Sequence, residues 1–273
     1  MTIQRRELLQ WLGTSLLLGA CEKSSSGPAS GPKEVTVFAA ASLRDAVTEL
    51  QSEFEKSHPG AKIAVSFAGS NALARQLIAA PKADVFLSAS EQWMDAVEKA
   101  GRLVPDSRQD LLKNQLVLVC NARSNLVLSH PRELSDPRFE ELVLGNPDAV
   151  PAGIYAKRYL ESLKVEDGSV WQAVEKRVVP MPDVRAALVQ IEQRGGAIGF
   201  VYKTDAALSK KVRVLFEVPE SESDPIRYPM AKIAGSPAVG LPLVDQLYSY
   251  LRGNQAKAVF ERYGFRLAEQ KGS

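Results

Sequence analysis

Four short segments place small or neutral residues where a pattern of helical periodicity begins. The first N–H groups of a helix have no partner inside the helix, and the helix dipole makes this end positive. Each segment therefore predicts a place where backbone N–H groups could bind an anion, and two of the segments add a serine hydroxyl. They are AAASLRD at Ser42, FAGSNALARQ at Ser70, DAVPAGIYAKR at Ala152 and VPMPDVRAAL at Val184.

Each of these segments also has a purely structural interpretation. Serine, asparagine and aspartate are the usual N-cap residues of helices, so a single serine at such a position is weak evidence for a ligand. Ser42 is followed three residues later by Asp45, which is the pattern of a capping box. Asp183 is expected to cap its own helix while leaving the N–H of Val184 free, and Pro151 suits a first helical turn. Taken singly, the segments leave both interpretations open.

Short apolar runs alternate with longer helical patterns from residue 34 onward. The helical patterns after Ser42, Asn71 and Asp183 each carry an apolar stripe along one face. This order predicts α/β lobes with mostly parallel sheets, in which ligands bind at the carboxyl ends of strands beside helix N-termini. The apolar runs are TVFAA, IAVSFA, DVFLSA, QLVLVC, ELVLG, AIGFVY, VRVLF and PMAKIAG.

The composition is that of an ordinary soluble protein, and it argues against one large class of partner. The chain has 273 residues, of which 45% are hydrophobic and 24% charged, enough to build one large or two small domains. Its 34 basic and 32 acidic residues nearly balance, without a long run of either sign. The sequence therefore lacks the excess and clustering of basic residues that are typical of a nucleic-acid-binding protein. We therefore expect a small ligand rather than nucleic acid. We also expect the protein to be a monomer.

Residues 1–21 have the features of an export signal. Two arginines precede a mostly apolar stretch that is too short to span a bilayer and ends in LLLGAC. The end of this stretch resembles the lipobox of bacterial lipoproteins, which implies that Cys21 is acylated and becomes the N-terminal residue. An ordinary signal peptide with an incidental cysteine is the alternative. Residues 22–33 are rich in Ser, Gly and Pro and predict a flexible linker, and Cys120, within an apolar run, is expected to be a buried unpaired thiol.

The motifs together resemble those of the periplasmic molybdate-binding proteins, the substrate-binding components of molybdate ABC importers. The resemblance covers about residues 34–266 and rests on VTVFAAASLRDAV, FAGSNALARQL, ADVFLSASEQWMD, VPAGIYAKRYL, DVRAALVQIE, AIGFVYKTDA and FERYGF. It implies a type II periplasmic-binding-protein fold, in which two α/β lobes joined by a hinge enclose a ligand cleft. One lobe would comprise residues 34–116 plus 230–273, and the other residues 117–229.

The resemblance also implies a ligand and the groups that hold it. Molybdate or tungstate would be bound without a cofactor and without direct metal ligands, by neutral donors alone. Ser42 and Ser70 would supply hydroxyl and backbone N–H groups, Ala152 and Val184 backbone N–H groups, and Tyr202 its phenol. The implied partner is an ABC permease in the inner membrane, and the implied location is the periplasm or cell surface, with membrane attachment only through a lipid on Cys21.

Two features depart from the family pattern. Gly69 stands where many members have a further serine, which removes a hydroxyl but not a backbone donor. The stretch LKVEDGSVWQAVEKRV, between the segments at Ala152 and Val184, is somewhat longer than in most members of the family. Spacing alone therefore does not verify the assignment of Ala152.

The chemistry of neutral donors fits a fully deprotonated dianion. Burying a charge without hydrogen bonds is very costly, and a bond to a charged acceptor contributes about 1.5–3 kcal/mol. A partly protonated phosphate brings a hydroxyl that needs an acceptor, and the five positions offer no carboxylate. Sulfate on the same fold remains an alternative, although the resemblance favours molybdate and tungstate. An exported hydrolase using Ser42 or Ser70 is less favoured, because neither serine lies in a G-x-S-x-G elbow.

Overall fold

The computed structural model describes residues 34–269. The predicted signal peptide at residues 1–21, with Cys21, and the predicted linker at residues 22–33 lie outside this range, as do the last four residues. Within residues 34–269, no helix is both long and apolar enough to cross a membrane.

Strands and helices alternate along most of the described chain, as predicted. The strands are β1 (Glu34–Ala40), β2 (Lys62–Ala68), β3 (Val85–Leu87), β4 (Gln109–Asn114), β5 (Leu116–Asn121), β6 (Leu142–Gly145), β7 (Lys164–Val165), β8 (Gly168–Ser169), β9 (Val178–Met181), β10 (Ile198–Tyr202), β11 (Val212–Glu217), β12 (Ile226–Lys232) and β13 (Arg266–Leu267). The helices are α1 (Arg44–Ser57), α2 (Ser70–Ala79), α3 (Glu91–Lys99), α4 (Pro151–Ser162), α5 (Val170–Val174), α6 (Val184–Gln193), α7 (Lys203–Leu208), α8 (Pro242–Arg252) and α9 (Asn254–Arg262).

The strands form two large sheets, one in each lobe. The first sheet has the order β13-β4-β12-β3-β1-β2, and the second has the order β11-β5-β10-β6-β9. A separate hairpin of β7 and β8 lies in the long segment between α4 and α6. The predicted α/β fold with two lobes is therefore confirmed.

The prediction of mostly parallel sheets is wrong, because both sheets are mixed. β1 pairs parallel with β2 and β3, and β6 pairs parallel with β9 and β10. The strands next to the lobe crossovers, β4, β5, β11 and β12, make antiparallel pairs. The chain passes from β4 to β5, and from β11 to β12, without an α-helix between the strands. A parallel pair of strands requires such a crossover connection, usually a helix.

Two connections join the lobes, and strand pairing fixes where they lie. Gln115 alone separates β4 from β5, close to the predicted boundary at residues 116/117. The second predicted boundary, at residues 229/230, falls inside β12 and is corrected. Residues Ile226 to Pro229 pair with β4 in the first sheet, so the second crossover lies between β11 and β12, at residues 218–225.

The predicted apolar stripes form the contacts between helices and sheets. Leu50 and Phe54 of α1, and Leu188 and Ile191 of α6, are buried. Full burial of each such side chain contributes about 1.5–3 kcal/mol. Cys120 is a free, buried thiol, as expected from the apolar run that contains it.

Candidate functional site

A cavity between the two lobes has a volume of about 210 Å³, including its open mouth. It lies where the strands of both sheets end and the following helices begin, the place expected for an α/β fold. The first lobe contributes Ala40, Ala41, Ser42, Gly69, Ser70 and Ala89, and the second contributes Val150, Pro151, Ala152, Asp183, Val184 and Tyr202. All five residues predicted as ligand donors therefore line one cavity, and the lining contains no lysine or arginine.

Three helical segments begin at the cavity without a side-chain cap. They are α2, α4 and the 3₁₀ turn Ala41–Leu43. Their first N–H groups have no acceptor inside the helix, so they are free to bond an anion in the cavity. Pro151 occupies the first turn of α4, as predicted. The positive ends of these segments converge on the same space.

The fourth helix, α6, is capped in a way that spares one donor. The Oδ1 atom of Asp183 accepts the N–H groups of Arg185, at 2.8 Å, and Ala186, at 2.9 Å. The cap leaves the N–H of Val184 outside this arrangement. The predicted role of Asp183 is thus confirmed.

Ser42 does not cap a helix, so the capping-box interpretation of Ser42 and Asp45 is wrong. A 3₁₀ turn comes first, and α1 starts only at Arg44, with Leu43 as its N-cap and no side-chain cap bond. The hydroxyl of Ser42 instead lies 3.0 Å from the hydroxyl of Tyr228 in β12. The serine is 3% exposed and belongs to the cavity wall.

Ser70 is the first residue of α2, where Gly69 is the N-cap. The Oγ atom of Ser70 accepts the N–H of Ala89 at 2.9 Å. This bond fixes the side chain to the neighbouring loop and uses the hydroxyl as an acceptor. Its hydrogen remains available to a group in the cavity.

Tyr202 ends β10 with its side chain 1% exposed. Among residues 34–269, its hydroxyl has no hydrogen-bond partner. Burial raises the pKa of the Tyr202 phenol well above its usual value, and nearby Tyr228 and Tyr155 add to the increase, so the phenol stays protonated. An unpartnered buried hydroxyl is costly. The hydroxyl is therefore a donor available to a ligand in the cavity.

Two cavity residues gained their significance only from the structure. Asp183 puts a carboxylate in the lining, which the five predicted positions lacked. At Gly69, a Cβ atom would lie 2.9 Å from the carbonyl oxygen of Pro182 in the other lobe and 2.5 Å from Oδ1 of Asn71. In this structure a side chain at position 69 would therefore force Asn71 or the contact between the lobes to shift. The sequence marked the position only as one where many family members have serine.

The two lobes also touch at polar contacts beside the cavity. The indole Nε1 of Trp93 in α3 donates to the carbonyl oxygen of Ala149 at 2.8 Å. The guanidinium of Arg185 in α6 contacts Asp45 of α1. Its Nε atom is 2.6 Å from Oδ1 of buried Asp205, although the N–H is not aligned as a hydrogen bond. The cation is thus engaged by carboxylates outside the cavity lining.

The described residues place no histidine beside Ser42 or Ser70 in the cavity lining. A serine nucleophile needs a base within hydrogen-bond reach. The chain has two histidines, and in the described part neither lines the cavity: His58 stacks on Phe54, and His130 accepts the N–H of Arg132. The arrangement can bind an anion, but it provides no histidine base for Ser42 or Ser70.

The model of the family described as bacterial extracellular solute-binding protein matches residues 35–266. The chain belongs to this family. The match spans both lobes and both crossovers. The solute-binding protein is therefore extracytoplasmic.

Comparisons with individual proteins agree with the motif resemblance. This solute-binding protein is 37% identical over 236 residues to the molybdate-binding protein ModA of Escherichia coli (strain K12), covering 85% of this chain and 88% of the relative. It is 33% identical to the putative ABC transporter substrate-binding lipoprotein YvgL of Bacillus subtilis (strain 168), covering 92% and 93%. The structure of the periplasmic molybdate-binding protein of Azotobacter vinelandii superimposes with a TM-score of 0.73 at 21% identity, covering 86% of this chain and 100% of that one.

Proposed function

We propose that this solute-binding protein captures molybdate, and tungstate with it, outside the cytoplasm and delivers it to an ABC permease. The observation that carries the proposal is the cavity itself. Hydroxyl and N–H donors from both lobes line it, and no lysine or arginine does. The name of the Escherichia coli relative supports the choice of oxyanion.

The donors would hold the ion without a counter-charge. Hydroxyls of Ser42, Ser70 and Tyr202 and N–H groups of Ala152 and Val184 would bond its four oxygens. Several bonds of about 1.5–3 kcal/mol to a charged acceptor can give micromolar to nanomolar affinity after the costs of association. Neutral dipoles also suit an ion that must be released again to the permease.

Protonation would distinguish molybdate from hydrogen phosphate. The lining contains one carboxylate, Asp183, whose Oδ1 already accepts two N–H groups, so only Oδ2 is left to accept a ligand hydroxyl. We propose that phosphate is disfavoured because the other groups assigned to the ion are donors. Sulfate carries no proton at neutral pH and is the second candidate ligand on the same fold. The size of the closed cavity would decide between sulfate and molybdate.

Isothermal titration calorimetry of the purified protein tests the proposal. Molybdate and tungstate should bind tightly, sulfate more weakly and phosphate weakest. Tight binding of sulfate with weak binding of molybdate would reassign the protein to sulfate. Binding of none of the four ions would refute an oxyanion-binding function.

We further propose that Cys21 carries the lipid that holds the protein at the membrane surface. The support is the LLLGAC motif and the printed description of the Bacillus relative as a lipoprotein. Mass spectrometry of the mature N-terminus from native membranes should show an acylated Cys21, and the Cys21→Ser protein should remain unacylated. A native form without lipid would refute the anchor.

A further inference from the structure

The hydroxyl of Ser42 has the cavity on one side and a buried polar chain on the other. Its Oγ lies 3.0 Å from the hydroxyl of Tyr228, which in turn lies 3.1 Å from Nδ2 of Asn114. All three side chains are buried. Because a hydroxyl can donate or accept, the first distance alone does not say which way the hydrogen between Ser42 and Tyr228 points.

Asn114 decides that direction. Its Oδ1 accepts the N–H of Gln115 at 2.8 Å, which makes Nδ2 the donor end of the amide. One Nδ2 hydrogen is donated to Oγ1 of Thr204 at 2.9 Å, and the other goes to the hydroxyl of Tyr228. The amide therefore approaches Tyr228 as a donor.

The hydroxyl of Tyr228 must then donate its hydrogen bond to Oγ of Ser42. Within residues 34–269, Oγ of Ser42 is the acceptor in hydrogen-bond contact with this phenol. The opposite arrangement would leave the phenol hydrogen buried and unpaired, which is unfavourable. Burial also raises the pKa of the Tyr228 phenol above its usual range, so the hydrogen is retained. Edge contacts with Tyr202 and Phe265 hold the ring in place.

We propose that Tyr228, oriented by Asn114, is a positioning residue that commits the Ser42 hydroxyl to donate into the cavity. The inference rests on the proposed function and explains part of its selectivity. Ser70 receives the N–H of Ala89 and is committed in the same way. The oxygens of both hydroxyls already accept a hydrogen bond from the protein, so each hydroxyl can only donate to the ligand. Such donors favour an anion whose oxygens carry no hydrogen.

A double-mutant cycle with molybdate tests the inference, using calorimetric affinities of wild type, Tyr228→Phe, Ser42→Ala and the double variant. Tyr228→Phe should weaken binding about tenfold. In the Ser42→Ala background, Tyr228→Phe should weaken binding by less than about twofold, because Tyr228 acts through the Ser42 hydroxyl. Tyr248→Phe is the matched control: this buried phenol bonds Gln109, away from the cavity lining, and its loss should leave affinity unchanged.

Two results would overturn the inference while leaving the proposed function intact. One is wild-type affinity in Tyr228→Phe; the other is an undiminished loss in the Ser42→Ala background, which would make Tyr228 a structural residue only. Failure of the wild type to bind molybdate would instead refute the proposed function.

A second variant keeps the inference testable if Tyr228→Phe does not fold. Asn114→Asp has nearly the same size but presents an acceptor to Tyr228, so the phenol would turn away from Ser42. Affinity should fall about tenfold or more, and the fall should be smaller in the Ser42→Ala background, where only charge repulsion remains. A fall of equal size in the two backgrounds would reflect charge repulsion alone and would contradict the positioning role of Tyr228.

Discussion

Arg185 of α6 contacts Asp45 of α1, so an ion pair joins the two lobes beside the cavity. The same guanidinium lies against buried Asp205 in its own lobe. Opening of the cleft would separate Arg185 from Asp45 but not from Asp205. Because Val184, the preceding residue, belongs to the cavity wall, this pair links a helix at the cavity to the other lobe. We propose that it favours the closed position of the lobes.

Asp45→Asn is expected to release molybdate about threefold faster, because a partly exposed ion pair contributes up to about 1 kcal/mol. Stopped-flow tryptophan fluorescence measures the rate. Removing a negative charge near a bound dianion would by itself slow release, so slower release would contradict the role of the pair in closure. Glu141→Gln is the control, since Glu141 pairs with Arg194 within the second lobe, and it should have no effect.

Stability should depend on pH through Asp205. Burial raises the pKa of its carboxyl from 3.8 to about 7; Arg185 lowers it only in part, and Asp45 and Asp183 raise it further. Between these two pKa values the folded state binds a proton that the unfolded chain has released. The resulting stability is fully present below about pH 4 and is lost as the pH rises through 7.

Chemical denaturation of wild type and Asp205→Asn measures this effect. From pH 5 to pH 8, wild type should lose about 2–3 kcal/mol of unfolding free energy relative to the variant, which cannot titrate at this position. Asp245→Asn, at an exposed carboxylate paired with Lys232, is the control. A constant difference between wild type and Asp205→Asn across this range would show that Asp205 is ionised throughout.

Tyr202→Phe should weaken molybdate binding by about 1–3 kcal/mol, because one donor to a charged acceptor is lost. The ligand-free protein should become about 1 kcal/mol more stable, since an unpartnered buried hydroxyl is removed. Tyr159→Phe is a matched control: its hydroxyl is also buried without a partner in the described chain, but it does not line the cavity. Unchanged affinity in Tyr202→Phe by calorimetry would remove this phenol from the site.

Gly69→Ala should weaken molybdate binding about tenfold, because the added methyl group would overpack the lobe contact. The Cβ would lie too close to the Pro182 carbonyl for the lobes to close without a shift. Gly196→Ala, where nothing lies within 4 Å, should bind normally. Equal affinities in the two variants would mean that closure does not bring residues 69 and 182 together in the bound state.

The sequence was most informative where local chemistry decides the structure. All eight predicted apolar runs coincide with strands, and the capping role of Asp183 follows from the first turn of its own helix. β4 was missed because its sequence is mostly polar, with only Leu111 and Leu112 as apolar residues. β9 was missed because it contains Pro180, which argues against a strand but is tolerated at the edge of a sheet, where β9 lies.

Features that depend on distant pairs could not be predicted in this way. Ser42 and Tyr228 are 186 positions apart, and Arg185 and Asp45 are 140 apart. No local pattern specifies such pairs. The start of α1 was also misplaced, because a 3₁₀ turn and a helix N-terminus share the same residue preferences.

A crystal structure of the protein with molybdate, with anomalous diffraction at the molybdenum edge, tests the central claim most directly. We expect one strong anomalous peak in the cavity, with the oxygens bonded to the hydroxyls of Ser42, Ser70 and Tyr202 and to the N–H groups of Ala152 and Val184. A peak elsewhere, or an ion held chiefly by lysine and arginine side chains, would contradict the account.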